Sequence, residues 1–185
     1  TLSACGDGGM ITTNEESLYC QLNLLRNIGL EDRNHCRVWS GNSRLDTLQA
    51  AIVLAKLRHF DHWTERRRQN AKFYREALRE ISQIQCPQEA AHERSVYHTF
   101  VIQAKKRDEL RNYLAKRGIE TAIHYPIPLH LQPAAHHLGY GPGSFPKAEE
   151  QAKCILSLPV YPELKRKDLE YICDNVKQFY GSKSQ

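Results

Sequence analysis

Long apolar runs are missing from this chain, and that absence narrows its class first. The longest, Ala50 to Ala55, is far too short to cross a bilayer, and no charged-then-apolar leader precedes it. A soluble chain with no membrane association is expected. Cys-x-x-Cys pairs are missing as well. The six cysteines, Cys5, Cys20, Cys36, Cys86, Cys154 and Cys173, stand at wide, irregular gaps, which argues against a zinc site or a disulfide framework. Reduced thiols in a cytoplasm fit that usage. His124, His130, His136 and His137 lie close together, but none forms a helical His pair with a carboxylate, so no metal is expected. The turn Gly6-Asp7-Gly8-Gly9 lacks the Lys-Ser/Thr or glycine-spaced helix start that a phosphate loop needs.

Strong charge of one sign is also missing, since the formal net charge is only +5. The densest run, Glu65-Arg66-Arg67-Arg68, has no aromatic residue among its arginines and reads as the solvated face of a helix whose other face carries Trp63, Tyr74, Leu78 and Ile81. Nucleic-acid binding is therefore not expected, and it would need a steep salt dependence to be entertained. An initiator methionine is absent too. Thr1 to Cys5 opens neither a helix nor a useful strand, so the chain is expected to be a fragment that begins in the middle of something.

What is there is ordinary globular material: 185 residues, 41% hydrophobic and 25% charged, enough for one comfortable core or two small ones. The organising stretch is Gly41-Asn42-Ser43-Arg44-Leu45-Asp46, a polar turn running into Thr47 to Leu57. Ser43 and Asp46 have the spacing of a capping box, which predicts a helix starting at about Arg44. Leu45, Leu48, Ile52 and Ala55 share one face, and Ala51, Val53, Leu54 and Leu57 make most of the rest apolar, so burial on several sides is expected. Its first turn carries open amides, Asn42 and Arg44, a ready site for a phosphate or carboxylate. A well-capped core helix without a ligand is the alternative.

Before this turn, Met10 to Thr13 is a short β-prone run, Asn14 is the expected cap of a helix with Leu18, Leu22 and Leu25 as its stripe, and Gly29 is its stop. Leu30 to Ser40 is a polar connection, either mobile or held by a partner. After it, a second long helix is predicted over roughly 62–81, with a wet arginine face and a packed Trp63, Tyr74, Leu78 stripe. A linker over 85–94 leads to a strand at 96–102, a helix from Arg107 to Gly118, and a strand at 119–123. A helix after Pro146, a strand at 155–159 and an amphipathic last helix complete the pattern. The expected fold class is α/β: residues 1–61 as the end of one domain, 62–181 as a small α/β sandwich with helices on one face of a mixed sheet, and 182–185 as a frayed tail. His124-Tyr125-Pro126 falls at the carboxyl end of a strand, where polar side chains are well placed to face a crevice.

Four ordered segments carry a resemblance. The central one has the pattern Gly-x-Asn-Ser-Arg-Leu-Asp-x-x-Gln-Ala-Ala, here Gly41 to Ala51 with one residue fewer between Gly41 and Asn42. The others are Gly6 to Asn14, Leu24-Leu25-Arg26-Asn27-Ile28-Gly29, and His124-Tyr125-Pro126-Ile127-Pro128-Leu129-His130-Leu131-Gln132. Together they resemble the DegT/DnrJ/StrS family of pyridoxal-phosphate-dependent sugar aminotransferases, of the fold-type I superfamily. The resemblance implies that residues 1–61 end a large cofactor-binding domain and that 62–181 form the small domain. It implies a homodimer in which Asn42, with Arg44 beside it, meets the cofactor phosphate of the neighbouring subunit. His124 and Tyr125, with His130, would line a sugar-nucleotide pocket; read without the resemblance, each is a partly buried polar residue bridging backbone groups.

The activity implied is a ping-pong transfer of an amine, with glutamate as donor, to a keto sugar on a nucleoside diphosphate, in cell-surface polysaccharide or secondary-metabolite biosynthesis. In sequences of this kind the Schiff-base lysine lies just upstream of the Gly-Asp-Gly-Gly turn, a position that here would precede Thr1. Lys56, Lys105 and Lys106 stand in no matching context. No catalytic residue is therefore assigned, and the chain alone is expected to be inactive. A regulatory or binding protein of the same descent is the alternative.

Overall fold

A computed structural model of the chain describes residues 2–181. Its contacts divide into two compact units, residues 1–61 and 62–185. Thr1 and the tail 182–185, expected to fray, lie outside the described residues.

The first unit holds α1 (Glu16–Arg26) and α2 (Thr47–Leu57). Met10 to Thr13 forms no strand. Asn14 does not cap α1; Glu15 holds the cap position with extended backbone, and its amide donates to Thr13 Oγ1 at 3.1 Å. Beyond α1 the chain reverses through Ile28 and Gly29, whose φ angles are 62° and 72°. A Cβ on Gly29 would stand 1.6 Å from the Val38 carbonyl oxygen, so this position accepts only glycine. The connection 30–40 is held from within. The Arg37 amide donates to Gly29 O at 2.8 Å and Ser40 Oγ donates to Leu25 O at 2.6 Å.

α2 begins at Thr47, three residues later than expected, and the capping box does not form. The Ser43 amide that should meet the Asp46 carboxylate donates instead to Arg26 O at 2.9 Å, and Asn42 bridges Asn27. That pairing keeps the segment before Thr47 extended. Nor is α2 buried within this fold: Leu48, Leu54 and Leu57 are 72%, 61% and 51% exposed. The N-terminal segment covers only part of it, through Cys5 N to Gln49 Oε1 at 2.9 Å and Lys56 Nζ to Ser3 O at 2.6 Å.

The second unit carries nearly all of α3 (Phe60–Leu78) and the strands β1 (Ile84–Gln85), β2 (Phe100–Ala104) and β3 (Ile155–Leu158), with α4 (Arg107–Ala115), α5 (Pro146–Cys154) and α6 (Arg166–Gly181). The sheet order is β1-β2-β3 and both pairings are antiparallel, not mixed as expected. β2 sets Phe100 against Leu158 and Ile102 against Leu156. These side chains and Ala104 share one face, where Ala71, Tyr74 and Leu78 of α3, Leu110 and Leu114 of α4, and Leu169, Ile172 and Val176 of α6 complete the core. The Tyr74 and Phe100 rings stack at 5.0 Å, and the buried Tyr74 hydroxyl donates to Pro159 O at 2.9 Å.

Two expected strands change. The run 96–102 starts only at Phe100, because Tyr97 adopts a φ of 46° and the carbonyls of Tyr97 and His98 accept from Arg67 Nη1 at 3.3 Å instead of joining a ladder. The run 119–123 contributes a single bridge, Ala122 to Ser157. The arginine face of α3 is not wet. Arg66 donates to Pro162 O and Leu164 O, Arg67 also to Val160 O, and Arg68 pairs Glu89 at 2.7 Å while donating to Ser95 O. Three consecutive guanidiniums satisfy loop carbonyls that no strand pairs. Glu89 answers this charge: its bond with Arg68, then the Ser95 amide, hold its carboxyl below the ordinary range.

Among the described residues no helix is long and apolar enough to cross a membrane, and no three His, Cys, Asp or Glu side chains gather as a metal site.

Candidate functional site

In the first unit a cavity of about 1100 Å³ opens beside the start of α2, with Asn42, Ser43, Arg44, Arg26 and Asn23 in its wall. Asn42 Oδ1 accepts from the Arg44 amide at 3.1 Å and from Arg44 Nε at 3.2 Å. The turn thus uses the Asn42 acceptor and keeps its Nδ2 and the terminal guanidinium nitrogens of Arg44 as the donors on offer. Arg26 is oriented in the same way, its Nε donating to Asn23 Oδ1 at 2.9 Å. Asp7 is the single carboxylate among the described residues of that wall. Two guanidiniums and an amide suit a phosphate. Among the described residues no lysine lines the cavity: Lys56 is engaged by Ser3 O, and Lys105 and Lys106 belong to the turn between β2 and α4 in the other unit.

In the second unit His124 and Tyr125 are adjacent, joined by a cis peptide, with ring centroids 5.5 Å apart and planes at 87°. They serve different cavities. His124 lines one of about 670 Å³ with Arg67, His98, Ser157 and Asp168. Tyr125, 72% exposed, lines another of about 750 Å³ with Ile127, Leu129, His130 and Phe145. His130 is only 8% exposed, and its Nε2 lies 3.0 Å from Glu149 Oε1. Glu149 also accepts the Gly143 amide at 2.8 Å and the Phe145 amide at 3.4 Å. Partial burial pushes the Glu149 carboxyl up, but the hydrogen bonds from His130, Gly143 and Phe145 outweigh it and hold the group below its ordinary range.

The structure therefore joins Asn42 to Arg44, sets Tyr125 and His130 in the wall of one groove, and gives His124 a separate cavity. Sequence reasoning missed Glu149 and Ser157, the partners of His130 and His124. Ser157 had a signal, being the one polar residue in Ile155-Leu156-Ser157-Leu158. Glu149 had none, since 19 residues separate it from His130.

The sequence matches the model of the DegT/DnrJ/EryC1/StrS aminotransferase family over residues 1–177. The chain belongs to that family. Relatives of this DegT/DnrJ/EryC1/StrS member include a pleiotropic regulatory protein of Geobacillus stearothermophilus, 43% identical over 97% of this chain and 49% of that protein. Another is the dTDP-3-amino-3,4,6-trideoxy-alpha-D-glucose transaminase of Streptomyces venezuelae, 39% identical over 96% and 47%. The crystal structure of S. venezuelae DesV in complex with a ketimine intermediate superposes with a TM-score of 0.86 at 38% identity, over 91% of this chain and 45% of that one. A DegT/DnrJ/EryC1/StrS aminotransferase of Brucella abortus gives 0.83 at 35% identity, again over 91% and 45%. The α/β fold is thus shared with family aminotransferases, and the chain spans about half the length of the relatives it matches.

Proposed function

We propose that this chain is the C-terminal part of a pyridoxal-phosphate-dependent aminotransferase that moves an amine from glutamate to a keto sugar carried on a nucleoside diphosphate. In this reading residues 1–61 end the cofactor-binding domain, 62–181 are the small domain, and two copies of the parent protein pair in the cytoplasm. Relatives named as nucleotide-sugar transaminases support the substrate class. The observation that carries the reading is the Asn42–Arg44 turn: its donors line a cavity suited to a phosphate, with no lysine among the described residues of its wall.

Asn42 Nδ2 and the Arg44 guanidinium would hold the cofactor phosphate, belonging in the dimer to the neighbouring subunit. When bound, pyridoxal phosphate supplies the electron sink for amine transfer. His124 and Tyr125 would bind the nucleotide sugar, and His130, fixed by Glu149, would hold the shape of the Tyr125 groove. The lysine that completes the site belongs to the part of the parent that these residues do not include, so the 185 residues alone do not transaminate.

In the parent enzyme Arg44→Ala is expected to weaken cofactor binding by about 10- to 100-fold, the loss of one charged hydrogen bond. Unchanged affinity refutes the assignment. A second reading, a non-catalytic regulatory protein of the same descent, draws on the name of the Geobacillus relative. Upstream coding sequence without an in-frame lysine would favour it.

A further inference from the structure

Ser157 sits at the middle of β3, opposite Val101 of β2, and exchanges both backbone hydrogen bonds with Ala122 on its other side, at 2.7 and 3.2 Å. Locked between two neighbours, its side chain projects from the face that does not carry Leu156 and Leu158. The residue is buried, and its Oγ lies 2.8 Å from His124 Nδ1. Among the described residues this nitrogen is the partner the hydroxyl has. A buried hydroxyl must place its proton on an acceptor, and a neutral imidazole offers one unprotonated nitrogen.

We propose that Ser157 is a positioning residue: its hydroxyl donates to His124 Nδ1, so the neutral ring carries its proton on Nε2. The ring then offers a directed N–H donor to the cavity of about 670 Å³ that His124 and Ser157 both line. Such a donor selects an oxygen acceptor of the ligand, a carbonyl or a phosphate oxygen. Arg67 shares the wall with Asp168 and Glu120, so the lining carries no net positive charge to draw an anion, and hydrogen-bond direction makes the selection. The ligand part rests on the proposed role of His124 in binding a nucleotide sugar; the hydroxyl–imidazole part does not.

The experiment is ¹⁵N–¹H correlation spectroscopy of the histidine rings in the whole 185-residue chain at pH about 8, above the ordinary imidazole range. One tautomer is expected for His124, protonated at Nε2. Ser157→Ala should move the Nδ1 resonance toward the average of two exchanging tautomers, and Ser157→Thr, which keeps the hydroxyl, should restore it. A proton on Nδ1 in the native chain overturns the proposal, as does an unchanged His124 spectrum in the alanine variant. If that variant does not fold, the native and threonine spectra decide. Adding dTDP-glucose should then shift the Nε2–H signal of His124. No shift removes the ligand part and counts against the substrate role of His124, while the tautomer result stands separately.

Discussion

Glu149 Oε1 and His130 Nε2 meet at 3.0 Å, and the same carboxylate gathers the amides of Gly143 and Phe145 at the start of α5. One side chain therefore pins both loops that border the Tyr125 groove. Its carboxyl is held below the ordinary range in the fold, so the stabilisation it gives is present above the unfolded value of about 4.3 and is lost as pH falls through the lower, folded value. Glu149→Gln should lower the thermal midpoint at pH 6 and flatten its decline toward pH 3. Parallel curves for native chain and variant, measured by circular dichroism, would contradict this.

Arg67 reaches the carbonyls of Tyr97, His98 and Val160 from the middle of α3. Burial lowers its pKa, partly countered by the charge of Glu163, yet an arginine stays protonated throughout the working range. Arg67→Met keeps the stem and strands three acceptors, so a loss of about 2 kcal/mol is expected in urea unfolding. An unchanged midpoint would mean that water replaces the guanidinium without cost.

Gly29 stands at a φ of 72° with no room for a methyl group. Gly29→Ala should destabilise the first unit by more than about 1 kcal/mol and expose the connection 30–40 to protease. Native-like resistance to trypsin at Arg33 and Arg37 would refute the steric reading.

The cysteines should separate by reactivity. Cys5, Cys20 and Cys36 are exposed, whereas burial pushes the Cys86 thiol up to about 11 and the Cys173 thiol up to about 12. At pH 8 iodoacetamide should label the first three quickly and reach Cys86 and Cys173 only on unfolding. Peptide mass mapping that finds Cys173 modified in the folded chain would overturn this order.

How much of this could be read in the sequence follows from the range of each interaction. The helices of the second unit were legible because their apolar periods run for several turns: Leu110 and Leu114 of α4, and Leu169, Ile172 and Val176 of α6, all fall in the core. The start of α2 was not, because the local Ser43 and Asp46 signal lost to a hydrogen bond with Arg26, 17 positions back. The arginine run read as solvent-facing since charge is usually solvated, and only the fold supplies carbonyls from residues 160–164 to occupy it. At the candidate site, the bond between Asn42 and Arg44 is local, made by two residues of one turn. His124 and His130 were visible as polar residues near a strand end, but their partners Ser157 and Glu149 lie 33 and 19 residues away, where no periodic pattern reaches.

The most direct test of the proposed function adds pyridoxal phosphate to the 185-residue chain, records the absorbance, reduces with borohydride and maps any adduct by intact and peptide mass. With phosphate donors in the first unit and no lysine among the described residues of their cavity wall, the expected result is no imine band and no stoichiometric adduct at a single lysine. A stoichiometric adduct at one site, Lys56, Lys105 or Lys106 among the candidates, with absorbance near the visible edge at the unextended mass, would contradict it.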